Sequence, residues 1–133
     1  MIERRIATLC LYDKDKRVLM QHRATDAPYL PGYWGFFGGL VDGEETPEQT
    51  VRRDMFLKTE YRPHRPVLFV KEKRWQGGVR ALTYVFIDVC DEAQPIIMHE
   101  GQDYGWFIID DALNLQITPE RRKTLLKLQK RLQ

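Results

Sequence analysis

The chain has 133 residues, of which 43% are hydrophobic and 30% charged, and its formal net charge is +2. These values predict one soluble globular domain over residues 1–133, and the small charge points to no particular class of partner. No apolar run is long enough to span a membrane, and the N-terminus does not resemble a signal peptide. Cys10 and Cys90 lie in apolar runs, which indicates free thiols and a cytoplasmic location.

Apolar runs and alternating patterns predict the strands, at residues 6–12, 17–22, 33–37, 67–75, 79–90, 96–99 and 105–109. Thr-Pro pairs predict two helix starts, one for a helix from 47 to about 59 and one for a helix from 119 to the end. A brief helical turn is expected at 110–113. Helices on both faces of a mixed sheet follow from this order.

The segment 23–32 contains Pro28 and Pro31 and shows no regular period, so we predict a loop. A loop of this length beside a glycine-rich motif often borders a ligand site. Arg23 and Trp34 flank the loop, and an arginine suits a phosphate while an aromatic ring suits a stacked base. The alternative is that Trp34 belongs to the core and Arg23 faces solvent.

The glycine pair Gly38-Gly39 opens the most informative stretch, and it suits a tight turn that needs glycine φ values. An acidic loop follows, which contains Glu45. Thr46 then supplies an N-cap oxygen, and Pro47 fits the first position of the helix.

The spacing of this stretch resembles the Nudix box: Gly, five residues, Glu, seven residues, Arg-Glu, an apolar residue, any residue, Glu-Glu, any residue, Gly and an apolar residue. Gly39 opens the pattern, Glu45 follows after five residues, and Arg53 follows after seven more. Asp54 stands at the Glu of the Arg-Glu pair. The resemblance covers residues 4–131 and implies an α/β fold, a Nudix-type α/β/α sandwich around a mixed β-sheet.

Three positions depart from the box, because the tandem glutamates fall on Leu57 and Lys58 and the closing glycine falls on Glu60. In the family those glutamates hold the catalytic divalent metal. A lysine ammonium ~4 Å from a dication would repel it by roughly 8 kcal/mol at an effective dielectric of about 20. Lys58 is expected either to form a surface ion pair with Asp54 or to contact a phosphate as a built-in cation.

The resemblance also implies roles for individual residues. The Gly38 carbonyl, Asp54 and Glu100 are the implied ligands of a weakly held Mg²⁺ or Mn²⁺, and Asp54 and Glu100 are the implied catalytic groups. Glu100 matches a glutamate that, in the MutT-like subgroup, reaches the metal or positions the attacking water. Glu45 and Arg53 are the implied structural pair between loop and helix, and Arg23, Trp34 and Lys58 are the candidate substrate contacts.

Two functions fit these residues. The first is a divergent Nudix hydrolase that cleaves the pyrophosphate of a nucleoside diphosphate linked to another group, weakened by Leu57 and Lys58. The second is a catalytically inactive Nudix-fold module that binds a nucleotide or another phosphate. We expect no membrane partner. Basic residues surround a leucine stripe on the last helix, which is typical of the solvated side of an amphipathic helix, so we do not expect nucleic acid either.

Overall fold

The computed structural model describes residues 2–99 and 103–133. The strands and helices, in chain order, are β1 (Ile2–Tyr12), β2 (Arg17–His22), β3 (Trp34–Gly35), β4 (Phe37–Leu40), α1 (Pro47–Thr59), β5 (Val67–Gln76), β6 (Val79–Val89), β7 (Asp103–Ile108), α2 (Ile109–Ala112) and α3 (Pro119–Arg131).

The strands form one mixed sheet with the order β3-β2-β1-β6-β5, in which β4 also pairs with β1 and β7 pairs with β2. β1 and β6 are parallel along their whole length, from Ile2↔Val79 to Tyr12↔Val89. The other pairings are antiparallel, including that of β4, which sets Gly38 against Thr8. β1 is therefore the central strand, as its continuous apolar run predicts.

Successive side chains of β1 enter two separate hydrophobic cores, because a strand alternates its side chains between the faces of a sheet. Leu9 and Leu11 pack with Val51 and Met55 of α1 on one face. Cys10 packs on the opposite face with the leucines of α3, Leu125 and Leu128. One helix covers each face, so the predicted α/β/α sandwich is confirmed.

Local signals explain the bounds of α1. The Thr46 hydroxyl accepts a hydrogen bond from the Gln49 backbone N–H at 3.2 Å, and the Gln49 side chain accepts one from the Thr46 N–H at 2.9 Å. This reciprocal capping box, together with Pro47, begins the helix at the predicted residue. The helix ends where Glu60 adopts a left-handed conformation with φ of 62°.

Two predictions about strands are wrong. The single strand expected at 33–37 is two short strands, β3 and β4, and the glycine pair lies inside β4 because it forms part of the ladder with β1. The strand expected at 96–99 is absent from that described segment. Its backbone instead caps α1, since the N–H of Ile97 donates to the Thr59 carbonyl at 2.9 Å and that of His99 to the Lys58 carbonyl at 3.3 Å.

Both cysteines are free, and burial raises the pKa of the Cys10 thiol to about 12. No helix within residues 2–99 and 103–133 has the length and apolar character needed to cross a bilayer.

Candidate functional site

A cavity of about 310 Å³ lies between the sheet, the start of α3 and the loop that follows β2. Aromatic side chains of the loop and of the entry to β4 line it, among them Tyr29 and Phe36. Lys58 and the glycine pair of β4 form one end of it. The cavity therefore adjoins the box region, as the loop prediction requires.

Close packing explains both glycines of β4, and left-handed φ angles do not, so the turn expected here is wrong. A Cβ atom on Gly38 would lie 2.1 Å from the carbonyl oxygen of Ala7 on β1. A Cβ atom on Gly39 would lie 1.7 Å from Oδ2 of Asp54. Real Cβ atoms cannot come so close, so these positions admit only glycine while β4 lies on β1 and Asp54 keeps its position.

Asp54 lies on the buried side of α1 and is 9% exposed. Its Oδ1 accepts a hydrogen bond from Nη2 of Arg53 at 3.3 Å, and its Oδ2 lies 4.0 Å from Nζ of Lys58. The carboxylate thus lies between two cations of its own helix.

The ammonium of Lys58 donates a hydrogen bond of 2.5 Å to the Gly38 carbonyl. Burial lowers the pKa of Lys58; Asp54 opposes this effect, and Arg23 and Arg53 add to it. The surface pair with Asp54 expected from the sequence is only a loose contact, because the stronger bond is to Gly38. The side chain therefore crosses from α1 to β4 and points a positive charge at the glycine pair.

Glu45 and Arg53 connect the box loop to α1. Nη1 of Arg53 donates to Oε1 of Glu45, and the Thr50 hydroxyl donates to the same oxygen at 3.1 Å. Desolvation would raise the pKa of Glu45, but these hydrogen bonds outweigh it and hold the pKa below its ordinary value. Arg53 also reaches the Leu40 carbonyl at 3.4 Å, so one side chain joins loop, helix and strand.

The donor set around Gly38 does not fit a divalent metal. Mg²⁺ takes oxygen ligands, and carboxylates usually supply the protein's share. Leu57 is apolar and 62% exposed, and the Lys58 ammonium itself holds the Gly38 carbonyl. Within the described part of the chain, no three His, Cys, Asp or Glu side chains form a group suited to a metal. Glu100 lies outside the described residues.

Arg23 lies against the loop rather than in open solvent. Its Nε donates to the Tyr29 carbonyl at 2.7 Å, and burial lowers its pKa; Tyr29 opposes that shift and Arg4 adds to it. Arg4 itself lies over the Tyr29 ring, 5.1 Å from its centroid. Arg4 and Arg23 both line the cavity that Lys58 closes.

Trp34 is partly buried in the α3-side core and also lines the cavity. Its ring stacks on His22 with centroids 4.5 Å apart and meets Phe107 edge-on at 5.2 Å. Both readings of Trp34 from the sequence are thus compatible with its position.

Sequence reasoning missed the ion pair at the base of the cavity. Arg121 donates to both carboxylate oxygens of Glu72, at 3.1 and 3.2 Å, and its guanidinium lies 3.9 Å from the centroid of the Phe36 ring. Thr124 adds a hydrogen bond of 2.6 Å to Glu72. The only usable signal was the helix spacing of Arg121 and Thr124, because the sheet alone brings Glu72 to them.

A family model described as NUDIX domain matches residues 2–128. The chain belongs to the Nudix family. Nucleoside triphosphatase NudI of Escherichia coli O139:H28 is 28% identical to it over 126 residues, which cover 86% of this chain and 89% of NudI. The predicted family is therefore confirmed.

Solved structures of Nudix proteins share the fold. The MutT NUDIX hydrolase of Burkholderia pseudomallei is 25% identical, with a TM-score of 0.79 over 94% of this chain and 97% of that one. The MutT protein of Methanosarcina mazei Go1 reaches a TM-score of 0.84 at 15% identity, over 99% and 96% of the two chains. The NUDIX domain of Shewanella oneidensis NrtR, solved with ADP ribose, has a TM-score of 0.77 at 21% identity and covers 100% of this chain and 90% of its own.

Proposed function

We propose that this Nudix domain binds a nucleoside diphosphate derivative, with the Lys58 ammonium against the diphosphate, and that metal-dependent cleavage of the pyrophosphate is weak or absent. The observation that carries the proposal is the 2.5 Å hydrogen bond from Lys58 to the Gly38 carbonyl. A cation of the chain itself thus stands at the carbonyl that the family uses to face its metal.

Lys58 can attract a phosphate, but it cannot perform the other task of a catalytic metal. A bound divalent ion lowers the pKa of a coordinated water and so makes a nucleophile near neutral pH, whereas an ammonium has no site at which to coordinate a water. The diphosphate would therefore be bound at this position without being attacked.

The remaining walls suit the rest of such a ligand. Arg4 and Arg23 lie with Lys58 along one cavity, where guanidinium groups match phosphate oxygens in geometry and charge. Trp34 and Phe36 supply aromatic surface for a base. The ADP ribose bound by the NrtR domain is a ligand of this chemical kind.

Hydrolysis is the second candidate, and two observations favour it. Asp54 occupies the Arg-Glu position of the box with its carboxylate at the glycine pair, and the similar NudI is a nucleoside triphosphatase. In this version Gly38, Asp54 and Glu100 would hold Mg²⁺ or Mn²⁺ weakly, as the family resemblance implies, although the described residues do not fit the ion.

One comparison separates the candidates. The purified protein is incubated with nucleoside di- and triphosphates and nucleotide sugars in the presence of Mg²⁺ or Mn²⁺, and released phosphate is measured. We expect little or no turnover from the natural chain. The variant Leu57→Glu/Lys58→Glu should bind Mn²⁺ and gain turnover, because it restores carboxylates at both ligand positions of α1.

Leu57→Gln/Lys58→Gln is the matched control, since it removes the lysine without adding a ligand charge. It should remain inactive and should bind nucleotides more weakly than the natural chain. Strong metal-dependent turnover by the natural chain would overturn the binding proposal in favour of hydrolysis.

A further inference from the structure

The cations that line the cavity differ in how they are neutralised. Within residues 2–99 and 103–133, the carboxylate partners are Asp54 for Lys58, Glu120 for Arg74 and Glu72 for Arg121. Arg4 and Arg23 have no carboxylate partner in that part of the chain, and they meet the carbonyl and ring of Tyr29 instead. The end of the cavity beside β4 therefore carries excess positive charge.

The partner of Lys58 is itself shared. Asp54 is 3.3 Å from Arg53 and 4.0 Å from Lys58, so the carboxylate lies nearer to the arginine. Lys58 keeps its strongest contact with a neutral carbonyl, that of Gly38. An approaching anion would meet an ammonium whose charge is only partly offset.

Free and metal-bound phosphates differ at such a site. A phosphate oxygen that approaches Lys58, Arg4 and Arg23 is attracted by all three cations. A phosphate that already carries Mg²⁺ brings a dication against the same groups, and repulsion offsets the attraction. Each Mg²⁺ bound to the ligand would also need the space that the Lys58 ammonium fills.

Nucleotides differ in how readily they bring Mg²⁺. A nucleoside triphosphate has a terminal phosphate with extra negative charge and chelates Mg²⁺ strongly. A diphosphate esterified at both ends, as in a nucleotide sugar, has one charge per phosphate and chelates Mg²⁺ weakly. In the presence of Mg²⁺, the diester is therefore the nucleotide that reaches a protein without the metal.

We infer that the site selects metal-free diphosphate diesters, and that Mg²⁺ competes with the protein for the phosphates of other nucleotides. The inference rests on the proposed function, since it takes the diphosphate to lie at Lys58. It narrows the ligand to a nucleoside diphosphate linked through its outer phosphate to a further group.

Matched pairs of ligands test this inference. Binding is measured by titration calorimetry for ADP ribose, UDP-glucose, GDP-mannose and CDP-choline, and for ATP, UTP, GTP and CTP, each in EDTA and in saturating Mg²⁺. For the base that binds, Mg²⁺ should weaken the triphosphate by about tenfold or more, equivalent to about 1.4 kcal/mol. The diester should change by less than about twofold.

Lys58→Gln should bind the metal-free ligands more weakly and lose most of the difference between Mg²⁺ and EDTA, whereas Lys58→Arg should keep it. Arg52→Gln is the matched control, because Arg52 lies on the same helix, pairs with Glu48 and does not line the cavity. It should behave as the natural chain does.

Tighter binding in Mg²⁺, or an equal Mg²⁺ effect in Lys58→Gln, would overturn the inference and leave nucleotide binding intact. Failure of every ligand to bind under both conditions would overturn the proposed function, and the inference with it.

Discussion

At the scale of single residues, Gly39 and Asp54 depend on one another. The carboxylate of Asp54 fills the space that any side chain at position 39 would need. The conformation of Gly39 is one that other residues adopt, so the requirement for glycine comes from contact alone. The two positions should therefore behave as a coupled pair.

Gly39→Ala should destabilise the protein by about 1–3 kcal/mol, because the new methyl group displaces Asp54 from its buried position. In an Asp54→Ala background the same substitution should cost about 1 kcal/mol less, since the obstructing carboxylate is gone. Urea unfolding of the four proteins measures the coupling.

Gly43→Ala is the control for this cycle, because a Cβ at position 43 meets nothing within 4 Å. It should change the unfolding free energy by no more than about 0.5 kcal/mol. Equal costs for Gly39→Ala in the two backgrounds would contradict the coupling.

At the scale of an element, the end of α1 departs from the usual chemistry of helix termination. Glu60 occupies the position of the closing glycine of the box, and its φ of 62° is one that glycine adopts without strain. A contact of 3.0 Å with His99 accompanies it, between two half-exposed side chains. Exposed pairs of this kind contribute little to stability.

Glu60→Gly should be more stable than Glu60→Ala by about 1 kcal/mol, because alanine pays the steric penalty of the left-handed conformation. Both variants lose the contact with His99, so their difference isolates the backbone effect. Chemical denaturation of the two variants measures it, and an alanine variant at least as stable as the glycine variant would contradict this account.

The same helix shows how far sequence reasoning reaches. The bounds of α1 were predictable because Thr46, Gln49 and Pro47 are local signals that act within one turn. Gly38, Asp54 and Lys58 were found because the spacing of one loop and one helix relates them. Arg4 and Glu72 were missed, since strands far apart in the chain bring them to the cavity and no spacing marks them.

The split between β3 and β4 was missed for a similar reason. Residues 33–37 read as one apolar run, yet β3 pairs with β2 while β4 pairs with β1. The choice of partner strand depends on the assembled sheet rather than on the run itself. The segment 96–99 is a parallel case, because the exposed carbonyls at the end of α1 attract its N–H groups.

At the scale of the whole molecule, a buried ion pair joins α3 to the sheet. The side chains of Glu72 and Arg121 are only 9% and 10% exposed, and they form two hydrogen bonds with each other. A buried pair is strongly destabilising when one partner is removed, because the other charge is left without compensation.

Arg121→Met should therefore destabilise the protein by about 3–5 kcal/mol, whereas Arg121→Met/Glu72→Leu should recover most of that loss. A double-mutant cycle in urea measures both. Arg52→Met, which breaks an exposed pair with Glu48, should cost no more than about 1 kcal/mol. A double variant as unstable as the sum of the single ones would contradict this role.

The parallel alignment of β1 with β6 has a consequence for biosynthesis. The N-terminal strand leaves the ribosome first, yet its neighbour along that edge is translated only after most of the chain, since Tyr12 meets Val89. Until then the backbone groups on that side of β1 await their partners. Such distant pairing makes acquisition of the native topology slower than in helical proteins of equal size. The nascent polypeptide is consequently most exposed to misassociation just before β6 emerges.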